Sequence, residues 1–171
     1  MVLSKSELLA SLQHEVHILL HLASKIDHTS IDYRPTPKQR STIELLKYLS
    51  TMGPFMLDYA RTGTFDRSTL SAMTAAAEAR DFDQTRAAIA AHSETYATVL
   101  GEMSDEDFRA EIKGFDGVAV TRGAFIVNHL ICACAAYRTQ LFLYLKACGR
   151  EELTTRNLWA GVDPPATPAA V

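Results

Sequence analysis

A chain of 171 residues that is 47% hydrophobic and 22% charged has the size and balance of one ordinary globular domain with a sizeable core. Its formal net charge of -3, with no basic block and no DNA- or RNA-reading motif, argues against a nucleic-acid partner. The three cysteines (Cys132, Cys134, Cys148) form no paired framework, and no apolar run is long enough for a membrane span. A reducing, cytoplasmic setting without leader peptide or membrane partner is expected.

Ser4 and Glu7 have capping-box spacing and open a first helix, along which Leu8, Leu12, Val16, Leu19, Ala23 and Ile26 recur at the helical period. His28 to Gln39, with Pro35 and Pro37, reads as a loop. Ser41 and Glu44 form a second capping box for a helix through Leu45, Tyr48, Met52, Phe55 and Tyr59, ended by Gly63. Gly53-Pro54 lies inside that helix, and because the period resumes after it a kink is predicted rather than a stop. A short alanine-rich helix is predicted from Asp66 to about Arg80, and a third long helix from Asp83 to about Met103, with His92 exposed on it. Between Ser104 and Val120, apolar residues alternate with charges across Gly114 and Gly117, which predicts extended chain and a small hairpin. Thr121 caps a last helix to about Ala147, closed by Gly149. That helix is apolar nearly all round. It is expected to be the most buried one and, since a lone bundle leaves a wet face on each helix, to point to a homodimer. Residues 163–171 have no reason to order, leaving a domain of 1–162 on which Trp159 docks. The pattern is all-α: an up-down four-helix bundle with a short extended connection before the last helix.

His14, His17, His21 and His28 fall opposite the leucine stripe of the first helix at about 100° per residue. His14, His17 and His21 form either a surface metal site, a dimer contact or a solvated face. The nearby Glu15 points elsewhere, and the missing partners favour the solvated face. Cys132 and Cys134 lie in an apolar helix with no adjacent base and read as inert core thiols. Arg138 is expected to make a structural ion pair with another helix. Nucleophile-elbow, P-loop and dinucleotide signatures do not occur.

The last-helix stretch NHLICACAAYRTQLFLYLKACG carries YRTQL where DinB-like proteins have the end of an HxxxHRGQL stretch, followed by an apolar segment and Gly. STIELLKYLS resembles their second-helix pattern of Ser-Leu and then Leu-Leu-x-His-Leu, and Phe108 to Val120 resembles their short extended link. Over most of its length the chain resembles the DinB-like (DinB/YfiT) superfamily. The resemblance implies a four-helix bundle. In the better-known branches it also implies metal-dependent thiol transfer or isomerisation, with one His of the second helix and two of the last binding a divalent metal. The corresponding positions here are Tyr48, Ala133 and Tyr137. A methyl group cannot ligate, and a neutral phenol, with a reference pKa of about 10, is a poor ligand. A degenerate site with no metal and no cofactor is therefore expected.

At about 100° per residue, His129, Ala133, Tyr137, Gln140 and Tyr144 share one sector of the last helix. Glu44, Tyr48 and Tyr59 share a sector of the second. If the two sectors face each other as in the resembled family, Glu44, Tyr48, His129, Tyr137 and Gln140 form an interhelical polar pocket for a small molecule, with Glu44 or His129 as a possible base. One alternative is a non-catalytic homodimeric interaction bundle whose tyrosines and histidine are a structural network. A second is a metal-dependent hydrolase- or transferase-like protein.

Overall fold

The computed structural model describes residues 3–165, so most of the expected tail lies outside the described residues. Helix α1 (Lys5–Ala23) and helix α2 (Thr42–Thr62) both begin at the capping boxes that the sequence predicts. Ser4 accepts from the Glu7 amide while the Glu7 carboxylate accepts from the Ser4 amide, and Ser41 and Glu44 repeat the arrangement. Gly63, at φ 70°, closes α2 by donating its N–H to the Tyr59 carbonyl at 2.8 Å. The helix α3 (Arg67–Glu78), capped by Asp66, lies against α2 with Ala77 as its buried residue.

The predicted third long helix is two helices. α4 (Phe82–Ala90) starts behind the cap Asp81, and α5 (His92–Glu102) follows a turn at Ala91. The stretch expected to be wholly extended begins with a helical turn, α6 (Asp105–Arg109), because Ser104 and Asp107 form a further capping box. The hairpin then forms from β1 (Glu111–Lys113) and β2 (Ala119–Thr121), antiparallel with Ile112 opposite Val120. Gly117, at φ 83°, makes its tight turn.

Thr121 caps the last helix as predicted, its hydroxyl accepting from the Ala124 amide at 3.3 Å. That helix is not uniform: α7 (Arg122–Phe125) runs into a π-helical segment (Ile126–Ile131) and then α8 (Cys132–Ala147). The Cys132 amide donates to the Val127 carbonyl, five residues back, so the turn is wider and the register of side chains shifts. A further helix, α9 (Thr155–Ala160), lies across α1 and α8.

The core is formed where α1, α2, the α4–α5 pair and the α7–α8 helix meet, around Leu12, Ile18, Leu46, Ile89, Leu130 and Leu141. The last helix is not the most buried. In α8 the buried side chains are Arg138, Leu141, Tyr144 and Leu145, far fewer than along α2. Cys132, Ala136, Thr139, Leu143 and Ala147 form an exposed row instead. Cys132 is therefore a surface thiol rather than a core one. Cys134 is half-buried against the core, and desolvation pushes its pKa up to about 12.

The proline in α2 explains a residue misplaced by sequence. Pro54 has no N–H, so the Ser50 carbonyl loses its helical donor. His92 supplies the replacement: its Nε2 lies 3.2 Å from that oxygen. His92 is buried, not exposed as expected. Because a carbonyl only accepts, Nε2 carries the proton, leaving Nδ1 to accept from the Tyr96 hydroxyl at 3.4 Å. A Cβ at Gly53 would stand 2.1 Å from that hydroxyl, so glycine is what lets α5 lie on the α2 backbone here.

Candidate ligand-binding cleft

In the histidine row of α1, His14, His17 and His28 are exposed, as a solvated face requires, and His21 is half-buried, but the row also has a structural role. It seats α9 and the chain beyond it. His14 Nε2 is 3.0 Å from the Trp159 carbonyl, and His21 Nε2 is 3.0 Å from Asn157 Nδ2. The His17 ring packs so closely on Gly161 that a Cβ there would meet it at 2.7 Å. Asp163, expected to lie in an unordered tail, pairs with Lys25 at 2.6 Å and lies 3.6 Å from His21. Beside this row, Arg138 makes the expected interhelical ion pair, its Nε 2.7 Å from the Glu15 carboxylate with both side chains buried. Burial raises the Glu15 pKa, partly countered by Arg138. Arg138 also donates to the Leu158 carbonyl and lies over the indole of Trp159, which docks by that face while remaining largely exposed.

The five residues predicted to share one pocket are spread over three places. His129 lies in the π-helical segment, and its ring packs on Phe125 (centroids 4.6 Å) and Phe115 (5.2 Å), beside Tyr59 and the hairpin. Gln140 lies on the neighbouring groove with Tyr33 and Leu143, where its amide donates to the Tyr144 hydroxyl. Tyr144 in turn donates to the Arg40 carbonyl at 3.1 Å. Tyr48 and Tyr137 do meet, edge to face with centroids 5.2 Å apart. Glu44 and Tyr48 line a cleft of about 520 Å³ between α2 and α3.

Tyr48 and Tyr137 stand at two of the positions that the resemblance assigns to metal ligands, and the residues present do not fit a metal. Ala133 offers a methyl group. Burial, then the neighbouring Tyr137, pushes the Tyr48 pKa up to about 12, so its phenol stays protonated. Among the described residues no group of three or more His, Cys, Asp or Glu side chains could hold a metal ion.

Sequence reading missed the cleft's cations. Arg40 stacks its guanidinium 4.0 Å above the Tyr48 ring and, among the described residues, has no carboxylate partner. Lys47 donates to the Glu78 carbonyl at 2.8 Å, tying α2 to the end of α3. Glu44 is committed to the helix cap: it accepts from the Ser41 amide at 2.8 Å and pairs with Arg34 at 2.9 Å, which keeps its pKa low. It is held as a capping carboxylate rather than a general base. Part of a signal was present in the sequence: Glu44, Lys47, Tyr48 and Thr51 follow the i, i+3, i+4, i+7 spacing of one helical face, with Arg40 just before the cap.

No family model matches the chain, and no curated protein matches it. Among solved structures, the crystal structure of a DinB-like protein (YjoA) from Bacillus subtilis is similar, with a TM-score of 0.67 over 86% of this chain and 95% of that one, at 19% sequence identity. Across this length the two share a fold, and this mainly helical chain has the fold of a DinB-like protein.

Proposed function

We propose that this protein binds a small carboxylate, without metal, in the cleft between α2 and α3. The observation that carries the reading is Arg40: a guanidinium stacked on Tyr48, facing a cleft of about 520 Å³, with no carboxylate of its own. An arginine so placed has its planar donors free for bidentate contact with an acid. The Thr51 and Thr74 hydroxyls beside it donate to the Tyr48 and Leu70 carbonyls, so the free donors for an acid are those of Arg40. Catalysis is not part of the reading, because Glu44 is committed to its cap and His129 stands elsewhere. The test is a thermal-shift screen of small carboxylates and thiols on the wild-type chain and on Arg40→Ala. At a ligand concentration about a hundred times Kd, stabilisation of about 2.7 kcal/mol is expected. That corresponds to a Tm rise of several degrees, absent in Arg40→Ala. A carboxylate shift equal in both proteins, or no shift with any acid, defeats the reading.

A second reading, homodimerisation, rests on a separate feature. The row Cys132, Ala136, Thr139, Leu143 and Ala147 of α8 lies exposed at helical spacing, with Leu143 58% exposed. Sedimentation that gives a dimer at micromolar concentration, and a monomer for Leu143→Arg, supports it; a monomeric wild type ends it. No helix among the described residues is long and apolar enough to cross a membrane. With three free cysteines, the reducing cytoplasm is the compartment proposed.

A further inference from the structure

A second cavity, of about 340 Å³, opens where the start of α1 meets α6 and the last helix. No residue of α2 or α3 lines it, so it is independent of the cleft proposed above. Its walls are Leu3, Leu8, Phe108, Ala124 and Val127, and its lining is mostly apolar. Leu3 and Phe108 keep part of their surface open to solvent there. A volume above about 300 Å³ is the size range of small-ligand sites.

Three features distinguish this cavity from a gap in packing. The π-helical segment forms one wall: its wider turn places Val127 and Asn128 on the cavity, and such segments occur frequently at functional sites. Asn128 is exposed there, and among the described residues its amide has no hydrogen-bond partner. Two cations stand on the rim. Arg109 is exposed and has no ion-pair partner among the described residues, while Lys5 is held by its bond to the Met103 carbonyl at 2.9 Å. Asp105 is the one carboxylate of the lining, leaving the rim with net positive charge.

We infer that this cavity binds a medium-chain fatty acid, its alkyl chain between Leu8, Phe108, Ala124 and Val127 and its carboxylate at Arg109 and Asn128. Alkyl burial supplies the affinity at roughly 0.8 kcal/mol per methylene. The guanidinium and the amide select an acid over an alcohol or amine of equal length. Gly123 shapes the same wall: a Cβ there would stand 3.3 Å from the Phe108 carbonyl, so glycine lets the last helix approach α6 closely enough to close it.

The test is calorimetric titration of the full chain with octanoate, octanol and octylamine, each below its micelle concentration. Octanoate should bind one per chain, octanol more weakly and octylamine weakest. Arg109→Glu, at an exposed position, should weaken octanoate about tenfold and leave octanol unchanged. Ala124→Trp, which fills the cavity, should abolish binding of both. Arg109→Glu keeps the test valid should Ala124→Trp misfold. Octanoate bound equally by wild type and Arg109→Glu, octylamine bound as tightly as octanoate, or no octanoate binding at all would overturn the assignment.

Discussion

Acidification should unfold this protein through His92, and the size of the effect follows from its surroundings. Burial holds the His92 pKa at about 4, below the usual 6.5 of an imidazole; the Arg80 guanidinium also lowers it, while the Ser50 carbonyl opposes the shift. Above about pH 6.5 the ring is neutral in both the folded and the unfolded chain, and it contributes no pH dependence. As pH falls from there to about 4, the unfolded chain takes up a proton that the folded one refuses, so stability falls. At about 1.4 kcal/mol per pH unit the loss is about 3 kcal/mol, a large share of the roughly 5–15 kcal/mol that holds a typical domain together. Other groups act in this window: near its lower end the lowered pKa values of Glu7, Glu44 and Glu152 also cost stability as pH falls. The pKa of His21 is lowered, mainly by burial, and pulls the same way, while the raised pKa of Glu15 pulls the opposite way. The carboxylates of Asp27 and Asp66, held at about 2 by hydrogen bonds from neighbouring hydroxyls and amides, act only below it. The assay is therefore differential: urea unfolding across the window for wild type, His92→Gln and His92→Phe. His92→Gln keeps a donor for the Ser50 carbonyl but cannot titrate. It should lose most of the acid slope while remaining near wild type at neutral pH. His92→Phe should lose the slope and also about 1–3 kcal/mol at neutral pH, from the carbonyl left unpaired. Parallel slopes for all three proteins would refute the reasoning.

Three further outcomes follow from close contacts. Gly53→Ala drives a Cβ to 2.1 Å from the Tyr96 hydroxyl and should cost about 1–3 kcal/mol of overpacking, read as a lowered urea midpoint with an unchanged slope. Glu15→Ala strands Arg138 in the core and should cost about 3–5 kcal/mol, whereas the double variant Glu15→Leu, Arg138→Met should recover most of it; equal losses in both would mean the pair is not what matters. Gly161→Ala sets a Cβ against the His17 ring at 2.7 Å in a left-handed conformation. It should speed amide exchange throughout α9 (Thr155–Ala160) and leave α2 unchanged; uniform protection as in wild type would deny α9 its seat on α1.

The elements set by local chemistry were legible in the sequence: both early capping boxes, the passage of α2 through Gly53-Pro54, the glycine stop at Gly63 and the Thr121 cap. So was the DinB-like bundle, through the pattern of its second and last helices. The π-helical segment was not legible, because a helical wheel at a fixed angle per residue cannot register a widened turn. That is why His129 was placed beside Tyr137 when it packs on Phe115 and Phe125. The burial of His92 depends on a carbonyl freed in a different helix, and nothing in the alanine-rich sequence around it carries that information. The seating of α9 on the α1 histidines is likewise a long-range contact. The meeting of Tyr48 with Tyr137 was legible, but Arg40 was missed because it precedes the helix cap and acts by folding back over a ring two turns on.

Native mass spectrometry of the full chain, freshly purified and then again after addition of equimolar zinc, tests the metal-free reading of the site most directly. The account predicts no metal adduct at one per chain in either spectrum, because Ala133 offers no donor and the Tyr48 phenol stays protonated with its pKa at about 12. A one-to-one zinc adduct that disappears in Tyr48→Phe or Tyr137→Phe would contradict it.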